Sequence, residues 1–393
     1  MERLRVGVVG LRRGLAHVRS LLRLEKAELV AVADRNPAYR ERASALIHAA
    51  GASCRVLTEY DELLHEKLDA VVVATNGKLQ VEHACMALEA GCHVLCEVPG
   101  MYTLAEAIRL RECVERTQRL YMLAENTCFY RYLPYWRKWI LEDRFGPICL
   151  AEGEYVHYLP ETMMLPDGTR IRPSAARGRT DVRPIWRADQ PPIQYLMHDL
   201  GPILELIDDR VTSVTCRSGP WWQIEAPLRP DGQIALFETA KGALIRILVT
   251  LNCRRPSEHR IRIFGTEGGL EHFAYEGFTR RFDRHRSERD GWEIVRTDRA
   301  PATLDPESGH GGTDFEVVRA FVEAVLSGKE SPIDVYRAIE YSLPGIIAAA
   351  SAEQGGAPLA VPNLRRGPYP GTRFWDHVPL PDDEPPAEPY RPR

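Results

Sequence analysis

What this sequence lacks narrows its class before any motif is read. Its nine cysteines, at 54, 85, 92, 96, 113, 128, 149, 216 and 253, are odd in number and include no Cys-x-x-Cys pair. That usage suits neither a disulfide framework nor a zinc ribbon and points to reduced thiols. The histidines are scattered, with no His-Glu-x-x-His, so no metal site is expected. No apolar run approaches membrane length, and Met1-Glu2-Arg3 leads straight into a strand-like stretch without a signal peptide. The expected location is therefore cytoplasmic. A net charge of −4 gives no whole-protein attraction for nucleic acid or an anionic membrane. No internal repeat is present. What remains is ordinary globular material: 393 residues, 44% hydrophobic and 27% charged, enough for two or three domains and a large core.

From Leu4 to about Asn126, short apolar runs alternate with helical stretches. The runs at Leu4–Val9, 28–33, 70–74, 94–98 and 120–124 are nearly continuous in Val, Leu and Ala, as parallel strands buried on both faces require. Between them, 81–90 and Leu104–Thr117 repeat apolar residues at three and four. That is the pattern of a doubly wound parallel sheet. A helix at 136–144, ended by Gly146-Pro147, and a strand at 148–158 come next. An irregular, Pro- and Arg-rich segment spans about 160–192. Alternating runs then recur at 211–216, 234–239, 243–251 and 260–264; in the third, Ala243, Ile245, Ile247, Val249 and Leu251 share one face. Helices at 314–326 and 335–352 close the pattern. The reading is a Rossmann domain at 1–126, an α+β domain with a large, mostly antiparallel open sheet at 127–370, and a Pro-rich tail at 371–393. The last 15 residues hold six prolines, which suggests a poorly ordered tail or a partner-hugging arm.

The first strand ends in the loop Gly10-Leu11-Arg12-Arg13-Gly14 before a helix. Backbone N–H groups at that helix start suit a pyrophosphate where small residues let it approach. Arg12 stands where the middle glycine of G-x-G-x-x-G falls, so an ordinary glycine turn competes with a cofactor loop. Asp34 ends the second strand, 24 residues after Gly10. A carboxylate there accepts from ribose hydroxyls and repels a 2′-phosphate, favouring NAD over NADP, with Arg35 softening the preference. The competing role is a helix cap before Pro37.

Residues 72–99 read VVATNGKLQVEHACMALEAGCHVLCEVP. This resembles the Gfo/Idh/MocA oxidoreductases, and the likeness extends over nearly the whole chain. It implies a Rossmann domain, a second domain with an open sheet, a nicotinamide cofactor and a sugar or polyol substrate. Where most of that family has Glu-Lys-Pro, this chain has Glu97-Val98-Pro99, and Val98 is neither a cation nor a proton acceptor. Glu97-Val98-Pro99, Leu123-Ala124-Glu125-Asn126, Tyr155-x-His157, Trp186-Arg187, His198-Asp199-Leu200-Gly201-Pro202, His310-Gly311-Gly312-Thr313-Asp314 and Pro332-Ile333-Asp334 resemble one branch, the NAD-dependent α-N-acetylgalactosaminidases. That branch retains NAD, oxidises a sugar transiently at C3, breaks the glycosidic bond by elimination and reduces the ketone again. Asp199 departs from its glycine at that position. By this resemblance the cofactor set is Gly10, Leu11, Arg12, Arg13, Gly14, Asp34, Arg35, Thr75, Asn76, Gln80, Glu97, Val98, Pro99 and Asn126. The substrate set is Trp186, Arg187, Asp199, His310 and Asp314, and a homo-oligomer, dimer or tetramer, is implied.

Oxidising a secondary alcohol needs a base for the hydroxyl proton. Tyr155 and His157, two apart on a strand, point to the same face and suit that need. His198 opens a helix, where the dipole favours a neutral imidazole. Tyr155, His157 and His198 are the expected catalytic residues. Bland readings compete: sheet-face residues, a structural histidine, a plain glycine loop around His310, and capping roles for Thr75, Asn76, Glu97 and Asn126. Six arginines at 170, 172, 177, 179, 183 and 187 suit an acidic sugar or, more simply, a solvated loop. Three functions remain open: an NAD-dependent oxidoreductase acting on a sugar-like secondary alcohol, a redox-neutral glycosidase or lyase, and a non-catalytic NAD-binding sugar sensor.

Overall fold

In the computed structural model, residues 3–390 are described except 224, 226, 274–276, 298–309 and 372–373. The first third alternates as expected: β1 (Leu4–Val9), α1 (Leu11–Arg23), β2 (Ala27–Ala33), α2 (Pro37–Ala49), β3 (Arg55–Leu57), α3 (Tyr60–Leu64), β4 (Ala70–Val73), α4 (Gln80–Glu89), β5 (His93–Cys96), α5 (Leu104–Thr117) and β6 (Tyr121–Leu123). Local chemistry sets the helix starts. The Asn36 side chain accepts from the Ala38 N–H, with Pro37 at the first helical position. Thr103 and Glu106 form a reciprocal capping box on α5. β3 and α3 are too short to show a period in the sequence.

The chain continues with α6 (Leu133–Leu141), β7 (Ile148–Val156), β8 (Met163–Met164), β9 (Arg170–Ile171), the single turn α7 (Pro173–Ala176), β10 (Arg183–Pro184), α8 (Met197–Ile207), β11 (Val211–Ser218), β12 (Gly232–Thr239), β13 (Leu244–Thr250), β14 (Glu258–Gly265), β15 (Gly268–Phe273), β16 (Phe278–Phe282), β17 (Glu293–Val295), α9 (Thr313–Ser327), α10 (Val335–Glu353), β18 (Leu359–Ala360) and β19 (Ala387–Pro389). Among the described residues there are three sheets: β3-β2-β1-β4-β5-β6, the small β10-β8-β9, and β18-β11-β12-β13-β7-β14-β15-β16-β17-β19. The first is parallel throughout. In the last, only β13 and β7 pair in parallel.

The chain divides into two compact units. The cut at Asn126/Thr127 is there, but Glu161–Asp189 and residues 310–339 group with the first unit. Named contacts hold them. Asn36 Nδ2 donates to the Pro166 carbonyl at 3.0 Å, and the Tyr39 hydroxyl donates to the Gly168 carbonyl at 2.9 Å. Ser331 Oγ donates to the Tyr121 carbonyl at 2.8 Å, and the Leu123 N–H donates to the Ile333 carbonyl at 3.0 Å. The Arg-rich stretch is thus partly ordered into the small sheet rather than loose in the second unit. The Pro-rich tail differs from expectation too. β19 pairs with β17, Phe374 is fully buried, and Glu384 meets Arg144 at 2.6 Å and Arg281 at 3.2 Å. Edge pairing and ion pairs order a segment whose prolines alone indicate none. No helix among the described residues is long and apolar enough to cross a membrane.

Candidate active site

In the first unit, Gly10 caps α1 at a φ of 88°. A Cβ there would lie 2.5 Å from the Ala74 carbonyl carbon and oxygen, so only glycine lets the loop pass β4 this closely. Arg12 is exposed on the first turn of α1, where helical backbone accommodates its side chain. Asp34 accepts from the Leu11 and Asn36 N–H groups, both at 2.7 Å. Burial raises its pKa against those hydrogen bonds. A helix start behind a glycine-only turn, with a carboxylate at the next strand end, fits the pyrophosphate and ribose of a dinucleotide. Arg35 pairs with Glu59 at 2.8 Å on the surface.

Other expected cofactor residues have internal partners. Gln80 donates from Nε2 to the Val98 carbonyl at 3.2 Å and accepts the Gly100 N–H at 2.9 Å, pinning the loop that carries Val98 and Pro99. Asn76 caps a single turn by accepting the Lys78 N–H. Thr75 Oγ1 lies 3.0 Å from His83 Nδ1. Glu97, expected at a ribose, lies 2.9 Å from Arg13 Nε and 2.6 Å from His17 Nε2. Arg13 also makes a bidentate pair with Asp314 at 2.7 and 2.8 Å. His310 Nδ1 lies 3.1 Å from the same carboxylate, and Asn126 Nδ2 lies 3.4 Å from it. Thus Arg13, Glu97, Asn126, His310 and Asp314, named from four motifs, form one polar network. Burial opposes ionisation of both acids, but Arg13 with His17 holds Glu97 below its ordinary range. Arg13 and His310 likewise hold Asp314 well below its own. Gly309, beside His310, lies outside the described residues. The Trp186 ring packs edge-on to Tyr102 at 6.0 Å, and the Arg187 guanidinium sits 5.0 Å over Trp186.

In the second unit, β7 and α8 bring Tyr155, His157 and His198 together. Ala151, Gly153 and Tyr155 are buried on one face of β7, while Leu150, Glu152 and Glu154 face the other way. The Tyr155 ring lies 4.2 Å from His157 and stacks on His198 at 5.1 Å. Tyr195 meets both Tyr155 and His198 edge-on, at 5.4 and 5.0 Å. Thr127 Oγ1 donates to the His198 carbonyl at 2.6 Å, fixing the start of α8. A Cβ on Gly153 would lie 2.6 Å from the Asp199 Cβ, so glycine lets α8 settle on the strand. Four rings with titratable or hydroxyl groups thus converge, an arrangement able to perform general acid–base chemistry.

Sequence reading missed His17, Tyr195 and His259. His259 carried a usable signal: it sits two before Ile261 and four before Ile263, on the buried face of β14, so it is a polar residue at an inward position. Tyr195 and His17 carried none beyond their residue type.

His272 on β15 offers a pH test. Its ring stacks on Tyr132 at 3.9 Å. Desolvation, aided by nearby His259, lowers its pKa to about 3. The unfolded chain binds the proton near the ordinary histidine value of 6.5, whereas the folded chain does not. Stability is therefore full above about pH 6.5 and is lost as pH falls toward 3. Urea unfolding at pH 5 should give about 2 kcal/mol less stability than at pH 7 through this residue, and His272→Phe should remove that part of the difference. An equal difference in both proteins would sink the assignment.

Among the described residues, no three His, Cys, Asp or Glu side chains are arranged to hold a metal ion. Two family models match successive parts of the chain. Residues 4–125 match an oxidoreductase family with an NAD-binding Rossmann fold, and residues 220–370 match the glycosyl hydrolase 109 C-terminal domain. A glycosyl hydrolase family 109 protein of Streptomyces filamentosus is 27% identical, covering 98% of this chain and 81% of that protein. An alpha-N-acetylgalactosaminidase of Shewanella oneidensis is 25% identical, covering 96% and 87%. The fold matches the crystal structure of an oxidoreductase domain protein from Kribbella flavida with a TM-score of 0.77 at 19% identity, covering 92% of this chain and all of that one. It matches a levoglucosan dehydrogenase solved with NADH and levoglucosan with a TM-score of 0.74 at 19% identity, over 92% and 100%.

Proposed function

Because this chain joins the NAD-binding Rossmann domain of the Gfo/Idh/MocA oxidoreductases to a glycosyl hydrolase 109 C-terminal domain, and is an NAD-dependent enzyme, we propose that it cleaves a glycoside without net oxidation. One observation carries the choice. Tyr155, His157, His198 and Tyr195 lie in a single cluster. Simple oxidation of an alcohol needs one base. Oxidation followed by elimination at the neighbouring carbon needs a second proton acceptor and a donor for the leaving oxygen. Val98, standing where a lysine would serve a plain dehydrogenase, supplies none of these.

When bound, NAD supplies a two-electron acceptor for the alcohol carbon and returns the electrons at the end of the cycle. Gly10, Leu11 and Asp34 would hold it. His157 takes the hydroxyl proton of the carbon being oxidised. The ketone acidifies the adjacent C–H, whose proton passes to His198, and Tyr155 donates to the enolate oxygen. The proton then goes to the departing glycosidic oxygen, water adds, and the ketone is reduced with return of the proton from His157. The substrate is a small carbohydrate; the alpha-N-acetylgalactosaminidase among the relatives makes an N-acetylhexosaminide the first to try. A homo-oligomer is part of the proposal. Leu150, Ile234, Leu236 and Leu244 are exposed large apolar residues on β7, β12 and β13, the kind of face that self-association covers.

Native mass spectrometry followed by a panel of 4-nitrophenyl glycosides in deuterated water tests this. Expected are bound NAD, a mass above one chain, nitrophenol release without net NADH, and deuterium at C2. NADH accumulating with a free sugar makes the protein a net dehydrogenase. Bound NAD with neither activity makes it a sensor.

A further inference from the structure

We propose that Asp199, His259 and His157 form a two-histidine proton relay, in which His157 takes the substrate's proton and His259, anchored on Asp199, stores it. The relay rests on the glycosidase reading above and gives its base a second half that no sequence motif marks. The geometry follows from register. β14 runs antiparallel to β7 with His259 opposite Tyr155, so His259 is the diagonal neighbour of His157 on the same face. His259 Nε2 lies 3.4 Å from His157 Nε2. On its other side, His259 Nδ1 lies 3.3 Å from Asp199 Oδ1.

Asp199 is the third residue of α8 and its side chain is wholly buried. An ionised carboxylate there is costly without a donor. His259 supplies one when its proton sits on Nδ1. That tautomer leaves its Nε2 lone pair facing His157, which then carries its own proton on Nε2 and presents an Nδ1 lone pair away from the relay. Proton balance then closes. His157 Nδ1 accepts the substrate hydroxyl proton, and the His157 Nε2 proton crosses to His259 Nε2. The positive charge comes to rest beside Asp199. His157 is left neutral with an N–H on Nδ1, a donor to the ketone oxygen just formed. Reduction of the ketone runs the transfers backwards, so no proton is gained or lost.

The other groups facing His259 do not displace this order. Tyr155 on β7 meets its ring edge-on at 4.7 Å, as do Tyr130 at 6.3 Å and His198 on α8 at 6.1 Å. His272 on β15 is held neutral by desolvation and adds no charge near neutral pH. Asp199 is the anion in contact with the pair through His259.

His259 and Asp199 act through His157 and are positioning residues, so the test reads proton coupling as well as rate. In histidine-selective NMR titrations of the holoenzyme, the His157 and His259 signals should move together. The isosteric Asp199→Asn should shift their shared midpoint to lower pH by about one unit, because loss of the anion disfavours the protonated pair. The acid limb of kcat/KM on a 4-nitrophenyl glycoside should move the same way. His259→Phe should lower kcat about tenfold with KM within about twofold, and NAD content by mass should be unchanged. A His157 titration identical in wild type, Asp199→Asn and His259→Phe overturns the relay. Coupled signals without any glycoside cleavage leave the relay standing and overturn the glycosidase reading; cleavage with uncoupled signals does the reverse.

Discussion

The His157→Ala protein should turn over its glycoside roughly 100-fold more slowly than wild type, and Tyr155→Phe roughly tenfold more slowly. Both should fold, because neither change removes a backbone contact: the His157 N–H still donates to the Thr250 carbonyl at 2.9 Å. The difference in size has a physical cause. Removing the imidazole removes the only atom proposed to take the hydroxyl proton, whereas removing the phenol oxygen leaves the ring that stacks on His198 at 5.1 Å. The residues that would hold the dinucleotide belong to the other unit, so bound NAD should be retained in both. Steady-state rates on the best nitrophenyl glycoside, with circular dichroism and cofactor mass as controls, decide the matter. Wild-type rates in both variants would take the pair out of the mechanism.

The second large effect is on stability. Arg13→Met should cost about 3 kcal/mol, because it strands two buried carboxylates. The Glu97 side chain is 5% exposed and the Asp314 side chain 1%, and Arg13 is the cation between them. His17 and His310 also touch these acids and soften the loss. At roughly 2–4 °C per kcal/mol, the melting temperature should fall by about 6–12 °C. The sign with pH is separate from that of His272. Both acids have depressed pKa values in the fold, so their contribution is complete above the unfolded values of 4.5 and 3.8 and is lost only as pH falls below them. Arg13→Met should therefore be destabilising at pH 7, and its penalty should shrink toward pH 3. A melting temperature within a degree of wild type at pH 7 would refute the network's role.

The parallel sheet was legible because buried strands are written as continuous apolar runs and their helices as a period of three and four. β1 and α5 fall where the sequence places them, at Leu4–Val9 and Leu104–Thr117. Tyr155 and His157 were legible as a same-face pair, since strand geometry fixes that at two residues. The motifs holding Arg13, Glu97, Asn126, His310 and Asp314 were legible one by one. Their union was not, for Arg13 and Asp314 lie 301 residues apart in the chain and 2.7 Å apart in the fold.

Sequence alone determined the dinucleotide domain and the open sheet, because each is a matter of local residue type and period. Tertiary structure decided which polar residues share charge. It turned Glu97 and Arg13 inward to each other, seated Asp199 beside His259, and ordered the proline-rich tail onto β17. Those outcomes depend on register between strands and on the packing of α8 against Gly153, and neither is written in any single stretch of chain.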